Sequence, residues 1–241
     1  MPTLLRRLAV PALALVLLTG CSDGTPDTPE PSPVAAGSAA VEGPRDPAGR
    51  TMTAARTRGV IPPVAVLPGG WRVDRDRGFP SPTDARAEID PPRCQTLFDE
   101  LHRAHKASGS AVAASAEGFF RARDTGPFLS VTVDSFARPV TVGVFDKAAT
   151  ALADCPRFTG TVDGIAAEFR ASPLELPRVG DESLALRFIG ETGSRPFTLD
   201  FIAVRIGNNS ITAQQVSRGA TADPAPLRRM VSAALQRLPA R

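Results

Sequence analysis

Residues 197–217 read FTLDFIAVRIGNNSITAQQVS. Two runs rich in β-branched and aromatic residues, 197–206 and 209–217, flank Gly207-Asn208-Asn209, residue types that accept positive φ in a tight hairpin. Strands joined this closely run antiparallel, because a parallel pair needs a long crossover. Working outward toward the N-terminus, two more strands are expected at 164–172 and 182–189. Another pair is expected at 110–121 and 128–137, around the turn-forming stretch Arg123-Asp124-Thr125-Gly126-Pro127. In the second of these, Leu129, Val131 and Val133 alternate with Ser130, Thr132 and Asp134, a half-buried pattern.

Helical periodicity appears in three places. Residues 91–107 place Leu97, Leu101 and Ala104 at helical spacing behind two prolines. Residues 140–154 gather Val144, Phe145, Ala148, Leu152 and Ala153 on one side, and Cys155-Pro156 ends that run. After Asp223-Pro224, which resembles a helix N-cap followed by a first-turn proline, Leu227, Met230, Val231, Ala234, Leu235 and Leu238 form an apolar face. The order is helix, two strands, helix, four strands, helix. Strands in runs with hairpin turns predict an α+β domain: an antiparallel sheet of about six strands with helices packed on it.

Before this domain the text changes character. Residues 1–21 carry Arg6 and Arg7, an apolar run of about 11 residues, then Thr19-Gly20-Cys21, where a spanning helix would need about 20 apolar residues. This is the layout of an export signal. Leu18-Thr19-Gly20-Cys21 resembles the bacterial lipobox, in which the thiol is diacylated and becomes the first residue after cleavage. Two acyl chains, at about 0.8 kcal/mol per buried CH₂, hold a protein stably where one would be marginal. The expectation is a lipoprotein anchored through Cys21 to the extracytoplasmic face of the cell membrane.

Residues 22–60 are Ser, Thr, Pro, Gly, Ala and charge with few large apolar side chains, too poor in burial to offset ordering entropy. They read as a tether; roughly 35 such residues at about 3 Å each reach well away from a membrane. Residues 61–241 then form the single domain. Its start holds the sole tryptophan, Trp71, read as a packing anchor with ligand stacking as the sharper alternative.

The three cysteines agree with export. With Cys21 lipidated, Cys94 and Cys155 remain, and an even remainder outside the cell predicts a disulfide between them. Charge argues against a nucleic-acid partner. Taking Arg6 and Arg7 from 28 basic residues leaves 26 against 25 acidic ones, and they are scattered.

Catalytic constellations are sparse. The sequence has no nucleophile elbow, phosphate loop, dinucleotide fingerprint or zinc-protease motif, so no enzyme activity and no cofactor are expected. His102 and His105 lie three apart on the first helix, where a solvated polar face explains them better than two thirds of a metal site, and no metal is expected. Asp181 and Glu182 follow Gly180; adjacent strand residues face opposite ways, so they read as turn and register markers rather than paired carboxylates. Asn208-Asn209-Ser210 matches a glycosylation sequon but is better read as hairpin chemistry.

Several segments together carry a resemblance: Pro92-Arg93-Cys94-Gln95-Thr96-Leu97, the run LADCPRF at 152–158, LPRVGDESLA at 176–185, AVRIGN at 203–208, and the closing Asp223-Pro224 helix. They resemble exported lipoproteins of GC-rich Gram-positive bacteria, which are similar to the extracellular sensor domain of PknH-type receptor kinases. The resemblance covers roughly Trp71 to Leu238. It implies an antiparallel sheet with helices on one side, a cleft for a ligand, and no catalysis in the module. Sensor domains of that type carry two disulfides, whereas the mature chain here can form one. The expected function is binding of a small molecule, lipid or envelope component in a cleft; the alternative is docking of an envelope or signalling protein.

Overall fold

Strands β8 (Arg195–Ile206) and β9 (Asn209–Arg218) meet at Gly207-Asn208, with Ile206 opposite Asn209 and Gly207 at φ 55°. This hairpin lies at the centre of one antiparallel sheet. The computed structural model describes residues 50–76, 88–99, 112–138, 143–162, 165–192, 195–219 and 221–239, all within one compact unit. The remaining strands are β1 (Arg72–Val73), β2 (Glu88–Asp90), β3 (Val112–Arg121), β4 (Phe128–Phe136), β5 (Arg157–Val162), β6 (Ile165–Pro173) and β7 (Glu182–Thr192). The helices are α1 (Ala54–Val60), α2 (Val144–Asp154) and α3 (Ala225–Arg237), with a 3₁₀ turn (Pro92–Cys94) leading into a helical turn at 95–99.

The sheet order is β1-β3-β4-β9-β8-β7-β6-β5-β2. The β3–β4 hairpin forms first along the chain; α2 then carries the backbone to the far end, and β5 to β9 return strand by strand until β9 docks on β4. The expectation of about six strands therefore falls short of the nine among the described residues. β1 and β2 have two and three residues, too few for alternation to register, and β5, RFTGTV, is a six-residue strand with a glycine inside it directly after Cys155-Pro156.

Side-chain alternation gives the sheet two apolar cores on opposite faces. One holds Leu184, Leu186, Phe201 and Ala203 under Phe145, Ala148 and Leu152 of α2. Here Cys94 is bonded to Cys155, joining the 92–94 turn to the residue that closes α2, as the cysteine arithmetic predicts. The other core sets Val131, Val133, Ile202, Val204, Ile211 and Ala213 against Val60 of α1 and Leu227, Met230, Val231 and Ala234 of α3. Each fully buried aliphatic side chain here contributes about 2 kcal/mol. Helices thus cover both faces, over different halves of the sheet, rather than one side as the resemblance implies. The reason is that β8 is apolar at odd and even positions alike, so both its faces need cover.

The folded part also begins before the composition shift at residue 60. Thr53 caps α1, its Oγ1 accepting from Arg56 N at 3.3 Å, and Met52, Thr57 and Val60 are buried. Composition assigns these residues to the tether because a seven-residue helix of Ala, Arg, Thr, Gly and Val has little stability of its own; the sheet supplies it.

At the other end of β8, Arg187 donates to both oxygens of fully buried Asp200, at 2.6 and 2.7 Å, and to Ala222 O at 3.0 Å. Gln215 Nε2 donates to Asp223 O at 2.8 Å, and the Asp223 carboxylate accepts from Ala225 N at 2.8 Å, one residue ahead of the N-cap position, which Pro224 occupies instead of the expected Asp223. The bond to Asp200 holds the Arg187 guanidinium above its ordinary pKa against the opposing pull of burial. This network fixes where α3 leaves the sheet.

Candidate functional site

Among the described residues, the core under α2 is built on β7 and β8, while the same face of β9, β4 and β3 adds no residue to it. What the strands present there follows from register. Glu182, Arg205, Ser210, Asp134 and Ser115 are successive partners across β7, β8, β9, β4 and β3, so they form one polar row. The next row toward β3 continues Thr212, Thr132 and Glu117, and the one after it Gln214, Ser130 and Phe119.

Burial rises steadily across these strands. Ser115 and Glu117 on β3 are exposed, and Ser130 and Thr132 on β4 are half-buried. On β9, nearest α2, Ser210, Thr212 and Gln214 are only 5%, 3% and 7% exposed. Asp134 on β4, at 5%, is as buried as its neighbour Ser210, so the polar rows are buried at β9 and exposed at β3. The Ser210 hydroxyl is buried and makes no hydrogen bond, which costs about 1–3 kcal/mol for a group left unsatisfied. Phe119 and Phe128 lie half-buried on the same face.

The charged end of the first row is fixed by short local contacts. Arg205 Nη1 lies 3.6 Å from Asp181 Oδ2, and its Nε 3.5 Å from Glu182 Oε2, without a hydrogen bond at Nε. Each acid also serves a turn: Gly207 N donates to Asp181 at 2.6 Å and Gly143 N donates to Glu182 at 2.7 Å. The pair therefore marks turns, as the sequence suggests. The two carboxylates nevertheless converge on one guanidinium, because Asp181 precedes the strand and escapes its alternation.

The other residues singled out from sequence lie apart from these polar rows. Trp71 is half-buried and packs against the core under α1 and α3, on the opposite face. Asn209 Nδ2 donates to Arg50 O at 3.1 Å and Asn208 Nδ2 to Thr51 Oγ1 at 3.3 Å, so the sequon residues tie the hairpin to the start of the folded chain. Cys21, His102 and His105 lie outside the described residues. Among the described residues no helix is long and apolar enough to cross a membrane.

The fold is similar to one already seen in a solved structure. It is the fold of the PknH extracellular domain. That domain, from Mycobacterium tuberculosis, superposes with a TM-score of 0.53 at 10% identity, over 78% of this chain and 98% of that one. A putative uncharacterised protein of Mycobacterium smegmatis, the Rv0999 ortholog, gives 0.46 at 14% identity over 76% of this chain and 96% of its own. No protein-family model and no curated protein matches the chain. At this identity the PknH likeness is one of architecture, and it agrees with the resemblance drawn from the sequence. The polar rows on β3, β4 and β9 escaped the sequence reading, although the alternation in 128–136 and 209–217 was their signal: half of each strand is polar, and only the sheet order brings the halves together.

Proposed function

We propose that this chain is a non-catalytic binding module, held at the extracytoplasmic face of the cell membrane by acyl chains on Cys21, that binds a ligand at the polar rows beside α2. The export signal and lipobox at 1–21 and the spacer after them support the location. The fold shared with the extracellular domain of PknH supports a sensing or carrying role over an enzymatic one. The observation that carries the reading is the buried Ser210 hydroxyl, without a hydrogen bond, in a row of polar side chains running across β8, β9 and β4. A ligand hydrogen-bonded there would satisfy it.

Docking of an envelope protein is the second reading. Among the described residues the exposed large apolar side chains are Val73 and Val112, both at the β1–β3 edge. Two such residues do not make the contiguous patch that a protein partner needs, and the docking reading ranks below ligand binding at the polar rows.

Native mass spectrometry of the mature protein, isolated from its own membranes before and after mild organic extraction, tests the proposal. The expected spectrum shows a mass that extraction removes, beside acyl mass on Cys21 that extraction leaves because it is covalent. A spectrum identical before and after extraction moves the weight to protein docking. The Cys21→Ser chain is expected in the medium rather than the membrane fraction.

A further inference from the structure

The layer that α1 and α3 lay over the sheet carries charge of one sign. Residues 50–71 hold Arg50, Arg56 and Arg58 with no acidic residue, and residues 224–238 hold Arg228, Arg229 and Arg237 with none. Removing these six from the 26 basic residues that follow Cys21 leaves 20 against 25 acidic ones, so a cationic layer sits on a net acidic remainder. The two helices adjoin, since Arg237 Nε donates to Gly59 O at 3.0 Å. All six but the half-buried Arg228 are exposed, and among the described residues none of them forms an ion pair. The acids that border the layer are few. Asp223, just ahead of α3, holds Ala225 N, and Glu175 shares with Arg178 the loop whose Leu174 and Leu176 pack on this core.

The same layer includes an apolar stretch without charge. Residues 59–71 read GVIPPVAVLPGGW, and their 3₁₀ turn, Val64–Val66, packs against α3. Ile61, Val64, Val66 and Trp71 are half-buried against the core on this side. Val73 follows at 52% exposure, and as the partner of Phe120 it faces the same side of the sheet. Unpaired like charges on one layer repel one another, and the valines, isoleucine and tryptophan beside them keep part of their surface in water. An anionic lipid surface relieves both: its headgroups pair with the arginines, while tryptophan and aliphatic side chains settle at the boundary of headgroups and acyl chains. A soluble acidic polymer answers the charge alone.

We infer that the α1–α3 layer is a docking surface for a membrane with anionic headgroups. The acylated domain then lies on the bilayer with the polar rows beside α2, on the opposite face of the sheet, turned away from it. The inference does not depend on what those rows bind. Because the acyl chains keep the domain close, a weak surface affinity suffices, and a chain without them still dilutes into the medium.

The test uses the unacylated chain from residue 21 with Cys21→Ser, mixed with vesicles of phosphatidylcholine alone or of phosphatidylcholine and phosphatidylglycerol. Trp71 is the sole tryptophan, so its emission reports from the layer. The expected result is co-sedimentation with the anionic vesicles only, a blue shift of Trp71 emission, and release by salt. Arg56→Gln, Arg58→Gln and Arg229→Gln together lower the partition coefficient about a hundredfold, at about fivefold per arginine. The same charge removed on the α2 side, by Lys147→Gln, Arg195→Gln and Arg218→Gln at exposed positions, leaves it nearly unchanged. Equal losses in the two triple variants would mean attraction by net charge and overturn the assignment to this layer. Binding to soluble poly(glycerol phosphate) as tight as to the vesicles, with Trp71 emission unmoved, overturns the membrane in favour of an acidic polymer. No binding to the anionic vesicles at low salt overturns the docking surface and leaves the reading of the polar rows standing.

Discussion

Gly180 shows how a single residue serves a contact that its own segment does not reveal. In LPRVGDESLA it reads as a turn residue before a strand. In the fold it has φ 70°, and a Cβ there would sit 2.5 Å from Arg205 O and 2.7 Å from Val204 Cγ1. The close approach lets Asp181 N donate to Arg205 O at 2.8 Å and brings both acids to the Arg205 guanidinium. Gly180→Ala is therefore expected to cost about 3 kcal/mol, left-handed strain and overpacking together, read as a lower urea midpoint with unchanged slope. A variant as stable as the parent would show that β8 yields to the methyl group. Ser210 is a parallel case: serine after Asn-Asn belongs to a hairpin in the sequence, and its buried, unpartnered hydroxyl emerges only when α2 packs one strand away.

The elements legible in the sequence are those with enough residues to show a period. β3, β4, β6, β7, β8 and β9 run for nine or more residues, and α2 and α3 repeat an apolar face over eleven and thirteen. β1 and β2 exist because a neighbouring edge offers them hydrogen bonds, with Arg72 opposite Arg121 and Ile89 opposite Gly160. Short strands of that kind also blunt the two edges of the sheet. The Cys94–Cys155 bond acts at this scale, linking two helical pieces 61 residues apart in sequence. Replacing both cysteines by alanine is expected to lower stability by roughly 4 kcal/mol, with the amides of α2 the first to lose protection from hydrogen exchange. Unchanged protection in α2 would mean that the apolar contacts of Phe145, Ala148 and Leu152 hold the helix without the bond.

At the scale of the whole molecule, the start of the domain and the division of its two faces go together. α1 packs where β3 and β4 need cover, so residues that look like spacer complete the second core. A chain beginning at residue 61 loses Met52 and Val60 from that core and is expected to be at least about 4 kcal/mol less stable than one beginning at residue 50. Equal urea midpoints for the two chains would place residues 50–60 outside the cooperative unit. The same division sets the polar rows: α1 and α3 close one face over β3, β4 and β9, α2 packs on the other over β7 and β8, and on the α2 side β9, β4 and β3 present polar side chains.

The sequence by itself determined the antiparallel character of the sheet, its long strands, the two longer helices and the cysteine pair, because each rests on a local period, a turn residue or a count. It also carries the expectation of export and anchoring at Cys21. Only the tertiary structure decided that there are nine strands, that helices lie on both faces, that residues 50–60 are folded, and that Ser210, Thr212 and Gln214 share a floor with Thr132 and Glu117. Those outcomes depend on pairing between residues up to about a hundred positions apart, where a strand's polar face gains meaning from the neighbour beside it and the helix above it.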